Sequence, residues 1–296
     1  MEEQFVIAII SCVATVFSAY IGWKSFRGKN SSHNGRNLIS EYAEMLDGGS
    51  ESQRSLAVNE INAFAIKKFA IKNKEYRAII CDILCSHIKR INAFEMSPVS
   101  GKAGNIPEVK KILDILFTAG SVFEEEQKDL QNTVFLNWHL GKTHCVRNVN
   151  FSGCNFTDCE FHSVIFYNCK MSEVVINNCT FKNNTELNKC LLNEASINNK
   201  TLFRNVVIKD STLKGAKISD VQFVRTDFGS LIFYTADISA SKFVHCEIMH
   251  CDFTYAHFRN VSMKFKNTKL MNVQIQYFDS LELKYTADTT SNTISL

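Results

Sequence analysis

The sequence predicts a mainly β protein. Its C-terminal half closes into a coil with corners, preceded by a single transmembrane helix and a small α-helical module. Three observations carry this. From Val146 to Tyr285 a large apolar residue returns at nearly every fifth position. Two residues before most of these stands a small one. The N-terminus holds an uncharged run, Phe5 to Trp23, with cations directly behind it.

A period of five fits neither regular element. On a helix, at about 100° per residue, successive large residues would spiral around the axis. On a flat strand an odd spacing alternates faces. One apolar interior therefore requires the chain to turn within every repeat. A large and a small residue then point inward, and three residues point outward. Stacked turns bury a continuous column that no single repeat could bury alone. The predicted inward column includes Phe151, Phe156, Phe161, Phe166, Phe223, Phe228, Phe233, Phe243, Phe253 and Phe258.

Triplets such as Cys154-Asn155-Phe156, Ala236-Asp237-Ile238 and Cys251-Asp252-Phe253 carry a specific signature. It is a small residue, then Asn or Asp, then a large apolar one. This resembles the pentapeptide-repeat family over about half of the chain. The resemblance implies a right-handed quadrilateral β-helix with four repeats per coil. About six and a half coils would then make a rod roughly 30 Å long at the usual strand spacing. The chain departs from the family in using Cys and Val where Ala is commoner, and often Lys, Thr or Val in place of Asp or Asn.

Read with Leu187, Leu192, Ile197 and Leu202 as inward residues, the register breaks three times. One residue is added after Phe181, one after Leu202 and two after Met263. Assigned to four sides in order, all three additions fall at one corner. Asn183, Asn184, Arg204, Asn205, Lys266 and Asn267 then form a candidate partner-facing corner. The competing reading is that this corner simply tolerates loops.

Residues 1–27 read as an N-terminal anchor. Phe5 to Trp23 would span about 28 Å as a helix, close to a bilayer core of about 30 Å. Lys24, Arg27 and Lys29 follow, with Tyr20 and Trp23 placed as interfacial aromatics. The charge asymmetry predicts a single-pass protein of the inner (cytoplasmic) membrane, with the C-terminal domain in the cytoplasm. A cleaved signal peptide would need a basic start and a small-residue cleavage site, and this N-terminus is acidic.

Residues 28–36 read as a polar linker. Residues 37–120 read as helical. Asn37 is placed to cap a short helix stopped by Gly48-Gly49, and Ser50 with Gln53 has capping-box spacing. Ala57, Ile61, Phe64, Ala65 and Phe69 form a helical stripe, followed by a second one from Ile80 to Ile91. A fourth helix begins near Pro107. His87 lies within an apolar stripe and reads as a satisfied interior histidine. The helical pair is similar to the segment that precedes the repeats in membrane-anchored bacterial members of the family, where it caps the open end of the coil. Residues 121–145 read as a connection and first-coil cap, in which Leu136, Trp138 and Leu140 could begin the coil. Residues 146–285 form the β-helix and 286–296 a disordered tail. Tyr277, Phe278, Leu281, Leu283 and Tyr285 would cover the last coil or form a homodimer contact.

The chain has a formal net charge of +3. From Val146 onward Lys and Arg barely outnumber Asp and Glu. The resemblance points to rods that imitate DNA and bind type II topoisomerases, but imitation of a phosphate backbone needs an acidic stripe. Mixed charge equally disfavours direct nucleic-acid binding. Of 11 cysteines, most fall at the small inward position, where a thiol acts as a small hydrophobe and suits a reducing compartment. His245-Cys246 and His250-Cys251 resemble metal-ligand pairs, yet this register points their cysteines inward and their histidines outward. No nucleophile, phosphate-loop or dinucleotide motif appears. The expectation is a non-enzymatic, membrane-tethered scaffold without cofactor or metal. It holds the membrane through residues 5–23 and presents its rod to an unknown cytoplasmic protein partner. The alternative is a DNA-mimic-type regulator.

Overall fold

A computed structural model describes residues 33–66, 74–95, 107–259, 261–266, 273–276, 280–284 and 294–295. The expected membrane anchor lies outside these residues. Among the described residues no helix is long and apolar enough to cross a membrane. The chain divides into two compact units, 1–57 and 58–296.

Four helices come first: α1 (His33–Gly48), α2 (Glu51–Ile66), α3 (Lys74–Glu95) and α4 (Pro107–Phe117). Helix α1 starts at His33, four residues before Asn37, so the second half of the expected linker is helical. The open N–H groups of a first turn can be met by water as well as by a cap, which leaves the helix free to extend backward. The capping box at α2 is formed: Ser50 N–H donates to Gln53 Oε1 at 2.8 Å, and Gln53 N–H donates to Ser50 Oγ at 3.4 Å. Pro107 opens α4, where its missing N–H costs nothing.

The rest is a mainly β solenoid of about 7 turns. Every strand pairing within it is parallel, and each residue meets its counterpart one turn later. Four walls result. The first carries Leu130, Phe151, Met171, Leu192, Leu213, Phe233 and Phe253. The second carries Phe135, Phe156, Ile176, Ile197, Ile218, Ile238 and Phe258. On the third stand Leu140, Phe161, Phe181, Phe203, Phe223 and Phe243. On the fourth stand Val146, Phe166, Leu187, Ile208, Phe228 and Ile248. All of these are buried.

Stacking fixes the column. Phe181, Phe203, Phe223 and Phe243 lie face to face in succession, with centroids 4.6, 4.9 and 4.6 Å apart. Their separation is the strand spacing itself. The small inward residues do more than fill space. Cys154 Sγ donates to the Leu130 carbonyl at 2.9 Å, Cys159 to Phe135 at 3.3 Å and Thr226 Oγ1 to Phe203 at 3.2 Å. A hydroxyl or thiol at this position ties one coil to the large residue of the coil before, which alanine could not do. This accounts for the abundance of Cys and Thr here.

Among the described residues corners are made by the residue two after nearly every large one, which takes a left-handed backbone with φ near 55°. Half of the non-glycine residues that do so are Asn or Asp, from Asn132 to Asp220. Their short polar side chains tolerate that region better than others.

The register differs from the expected one in two places. The coil begins at Lys128, ahead of Val146, with Leu130, Phe135, Trp138 and Leu140 inward. Leu136 is only half buried. In the fourth coil Phe203 is the inward residue, 1% exposed, and Leu202 points outward. The added residue therefore sits at Asn199–Lys200, both left-handed. It is one corner before Asn183–Asn184, so these two additions do not share a corner.

At the N-terminal end Phe117 of α4 meets Trp138 at 5.7 Å and Phe151 at 6.4 Å. Trp138 can occupy a small position because no coil lies above it. Lys128 occupies another such position and is 1% exposed. Its Nζ donates to the carbonyls of Glu124, Glu126 and Arg147 at 3.2, 2.8 and 3.1 Å. Burial lowers its pKa from the usual lysine value. At the other end, Ile294–Ser295 pairs with Val273–Gln274. That part of the tail is a strand, contrary to the expected disorder.

Candidate interaction surface

Because the interior is filled, any chemistry must lie on the walls. On each wall the residues flanking the large one point outward. The walls differ sharply in what they present.

The first wall exposes large apolar side chains in its fourth and sixth coils, with Thr212 between them and Asp252 in the coil that follows. Leu191, Thr212 and Ile232 stack in successive turns. Leu191 is 41% and Ile232 48% exposed. Beside them Tyr234 and Tyr255 meet edge to face at 5.5 Å, both exposed, and Lys214 Nζ lies 5.4 Å above the Tyr234 ring. Large side chains on solvent in one contiguous strip mark an association surface more than scattered ones do.

The third wall is basic. From its second coil to its sixth its strands present Lys182, Arg204 and Lys242, with Arg225 at the adjoining corner, against one carboxylate, Glu160. That carboxylate is already engaged: Lys182 forms an ion pair with it and His139 Nδ1 approaches it at 3.6 Å. The Lys182 contact lowers the Glu160 pKa. Arg204, Arg225 and Lys242 are exposed in three successive coils, and among the described residues they form no ion pair. The fourth wall, by contrast, pairs Lys209 with Glu186 at 2.8 Å, and the second pairs Arg259 with Asp237 at 2.9 Å.

The predicted corner residues partly converge. Asn183 and Asn184 protrude between the third and fourth walls, and Asn205 sits beneath them in the next coil. Arg204 stands beside Asn205 on the third wall. Lys266 ends a strand paired with Ser280–Lys284. Asn267 lies outside the described residues. Sequence reasoning missed the first-wall strip. Its signal was Leu191, Ile232, Tyr234 and Tyr255 at outward positions of the repeat, where polar residues prevail.

Of the histidine–cysteine pairs, Cys251 is buried and Cys246 half-buried, while His245 and His250 lie exposed at corners. Among the described residues no cluster of three or more His, Cys, Asp or Glu could hold a metal ion. In the helices, buried His87 contacts the Glu108 carboxylate through Nε2 and accepts from Arg90 Nη2 at Nδ1, 2.8 Å away. It is a satisfied interior histidine.

The described coils form a filled solenoid whose walls differ in chemistry. Residues 147–191 match the family model described as Pentapeptide repeats (9 copies). That stretch carries pentapeptide repeats, and the same fivefold register runs on to both sides of it. No curated protein matches it. Among solved structures it is similar to HetL, a pentapeptide repeat protein involved in heterocyst differentiation regulation from the cyanobacterium Nostoc sp. strain PCC 7120. That likeness has 12% identity and a TM-score of 0.27, covering 53% of this chain and 86% of that one. It is also similar to QnrB1, a plasmid-mediated fluoroquinolone resistance protein, with 14% identity and a TM-score of 0.25, covering 53% and 92%.

Proposed function

We propose that this protein is a non-enzymatic, membrane-tethered scaffold whose solenoid presents a rigid surface to a protein partner in the cytoplasm. The observation that carries the reading is the first-wall strip of Leu191, Ile232, Tyr234 and Tyr255. Aromatic and aliphatic side chains on a fixed backbone bind with little ordering cost. Tyrosine is also among the residues that dominate interface energies. Support for the tether comes from the uncharged run Phe5 to Trp23 and the cations behind it. Imitation of a phosphate backbone is not favoured, since it would need an acidic strip and the third wall has the opposite sign.

The test is purification of full-length protein from membranes in mild detergent, wild type beside an Ile232→Glu/Tyr234→Ser variant. A stoichiometric protein partner should accompany the wild type and be lost from the variant at unchanged melting temperature. Retention of the same partner by the variant would overturn the surface assignment. Full-length protein found in the soluble fraction would overturn the tether.

A further inference from the structure

From the fourth coil to the sixth the third wall carries exposed cations that form no ion pair among the described residues. From the third described coil to the sixth it presents Lys182, Arg204 and Lys242, with Arg225 at the corner beside it, and no carboxylate. The cation of the third coil is consumed by Glu160. The next three coils each hold one exposed cation with no ion pair among the described residues: Arg204 in the column of Val224 and Val244, Lys242 in the column of Gln222, and Arg225 at the adjoining corner. Val224 lies among these cations, and Val244, 42% exposed, lies beside Lys242. The wall is built of parallel strands in register, so Arg204 and Lys242 stand on a stiff, flat face and Arg225 at its edge. In a four-walled coil the third wall is opposite the first. The cationic wall and the apolar–aromatic wall therefore look in opposite directions.

We infer that the third wall docks on an anionic bilayer surface and turns the first wall away from it, toward the partner. Three features fit that occupant. The net charge complements acidic headgroups, the wall is flat where a bilayer is flat, and short aliphatic side chains stand between the cations at the depth of the interface. The inference rests on the tethered reading above, because a tether keeps the solenoid within reach of the headgroups. Each cation near an acidic leaflet strengthens association about fivefold, so three together contribute on the order of a hundredfold.

The experiment uses the full-length chain reconstituted into vesicles of phosphatidylcholine alone, or of phosphatidylcholine with phosphatidylglycerol. A fluorescent amino acid replaces Gln222 on the third wall or, separately, Thr212 on the first. A quencher is attached to lipid headgroups. The expected result is strong quenching at position 222 only in vesicles containing phosphatidylglycerol. It should be relieved by high salt, and lost in an Arg204→Ala/Arg225→Ala/Lys242→Ala variant that melts as the wild type does. Position 212 should stay unquenched throughout. Equal quenching at 222 in both vesicle types, or quenching that survives the triple substitution, would overturn the docking, and so would none in either, which would leave the wall to an acidic protein. Flotation with pure phosphatidylcholine vesicles reads the tether separately, so failure of the anchor and failure of the docking give different results.

Discussion

Replacing Phe203 with alanine, beside Leu202 with alanine, tests the packing at the point where sequence and structure part. Phe203 is 1% exposed and lies between the rings of Phe181 and Phe223, at 4.6 and 4.9 Å and within 16° of parallel. Loss of a buried phenylalanine costs about 3–5 kcal/mol. Two stacked ring contacts put this site toward the upper end of that range. Leu202 faces outward and is only half buried, so its truncation should cost less than about 1 kcal/mol. The assay is guanidinium unfolding of the full chain followed by β-sheet circular dichroism. The two variants should be separated by at least about 2 kcal/mol, with Phe203→Ala the weaker protein. Equal losses, or a larger one for Leu202→Ala, would refute the register.

Three further outcomes follow from the same packing. Burial raises the thiol of Cys154 to about 12 and that of Cys251 to about 11, from a usual 9.0. Because the folded pKa is the higher one, their stabilisation is complete below pH 9 and is lost as pH rises toward those values. The slope approaches about 1.4 kcal/mol per pH unit for each thiol, so a Cys154→Ala/Cys251→Ala variant should lose stability less steeply between pH 9 and 11. Thr235 is β-branched with φ of 58°. Thr235→Asn should raise stability by about 0.5–1 kcal/mol, read as a higher midpoint. Phe117→Ala removes the ring that α4 lays on Trp138 and Phe151, and should cost about 3 kcal/mol. Faster amide exchange should then appear first around Phe135 and Leu140.

Much of the architecture was legible because inward positions are apolar without exception over long stretches, as from Phe151 to Phe181. The fourth-coil error arose where two large apolar residues, Leu202 and Phe203, stand side by side. A check was present in the sequence: placing Leu202 inside would put Lys200 at the small inward position, whereas Phe203 puts Thr201 there. The first coil was obscured for a different reason. Trp138 and Lys128 occupy small inward positions that accept them only because the coil ends there and α4 with Glu124–Glu126 covers it. That is a tertiary fact with no local signature. The surface was harder to read than the core. Leu191 and Ile232 look like any other apolar residues until the register assigns them outward, and Arg204, Arg225 and Lys242 gather on one side only once the coils are stacked.

The most direct test of the scaffold reading is a photocrosslinking scan of the full-length protein in cells, with a crosslinking amino acid placed on each wall in turn. A discrete protein adduct is expected at positions 232 and 234 and none at Asn198 or Ser219 of the second wall. Adducts spread evenly over all walls, or confined to the second, would contradict it.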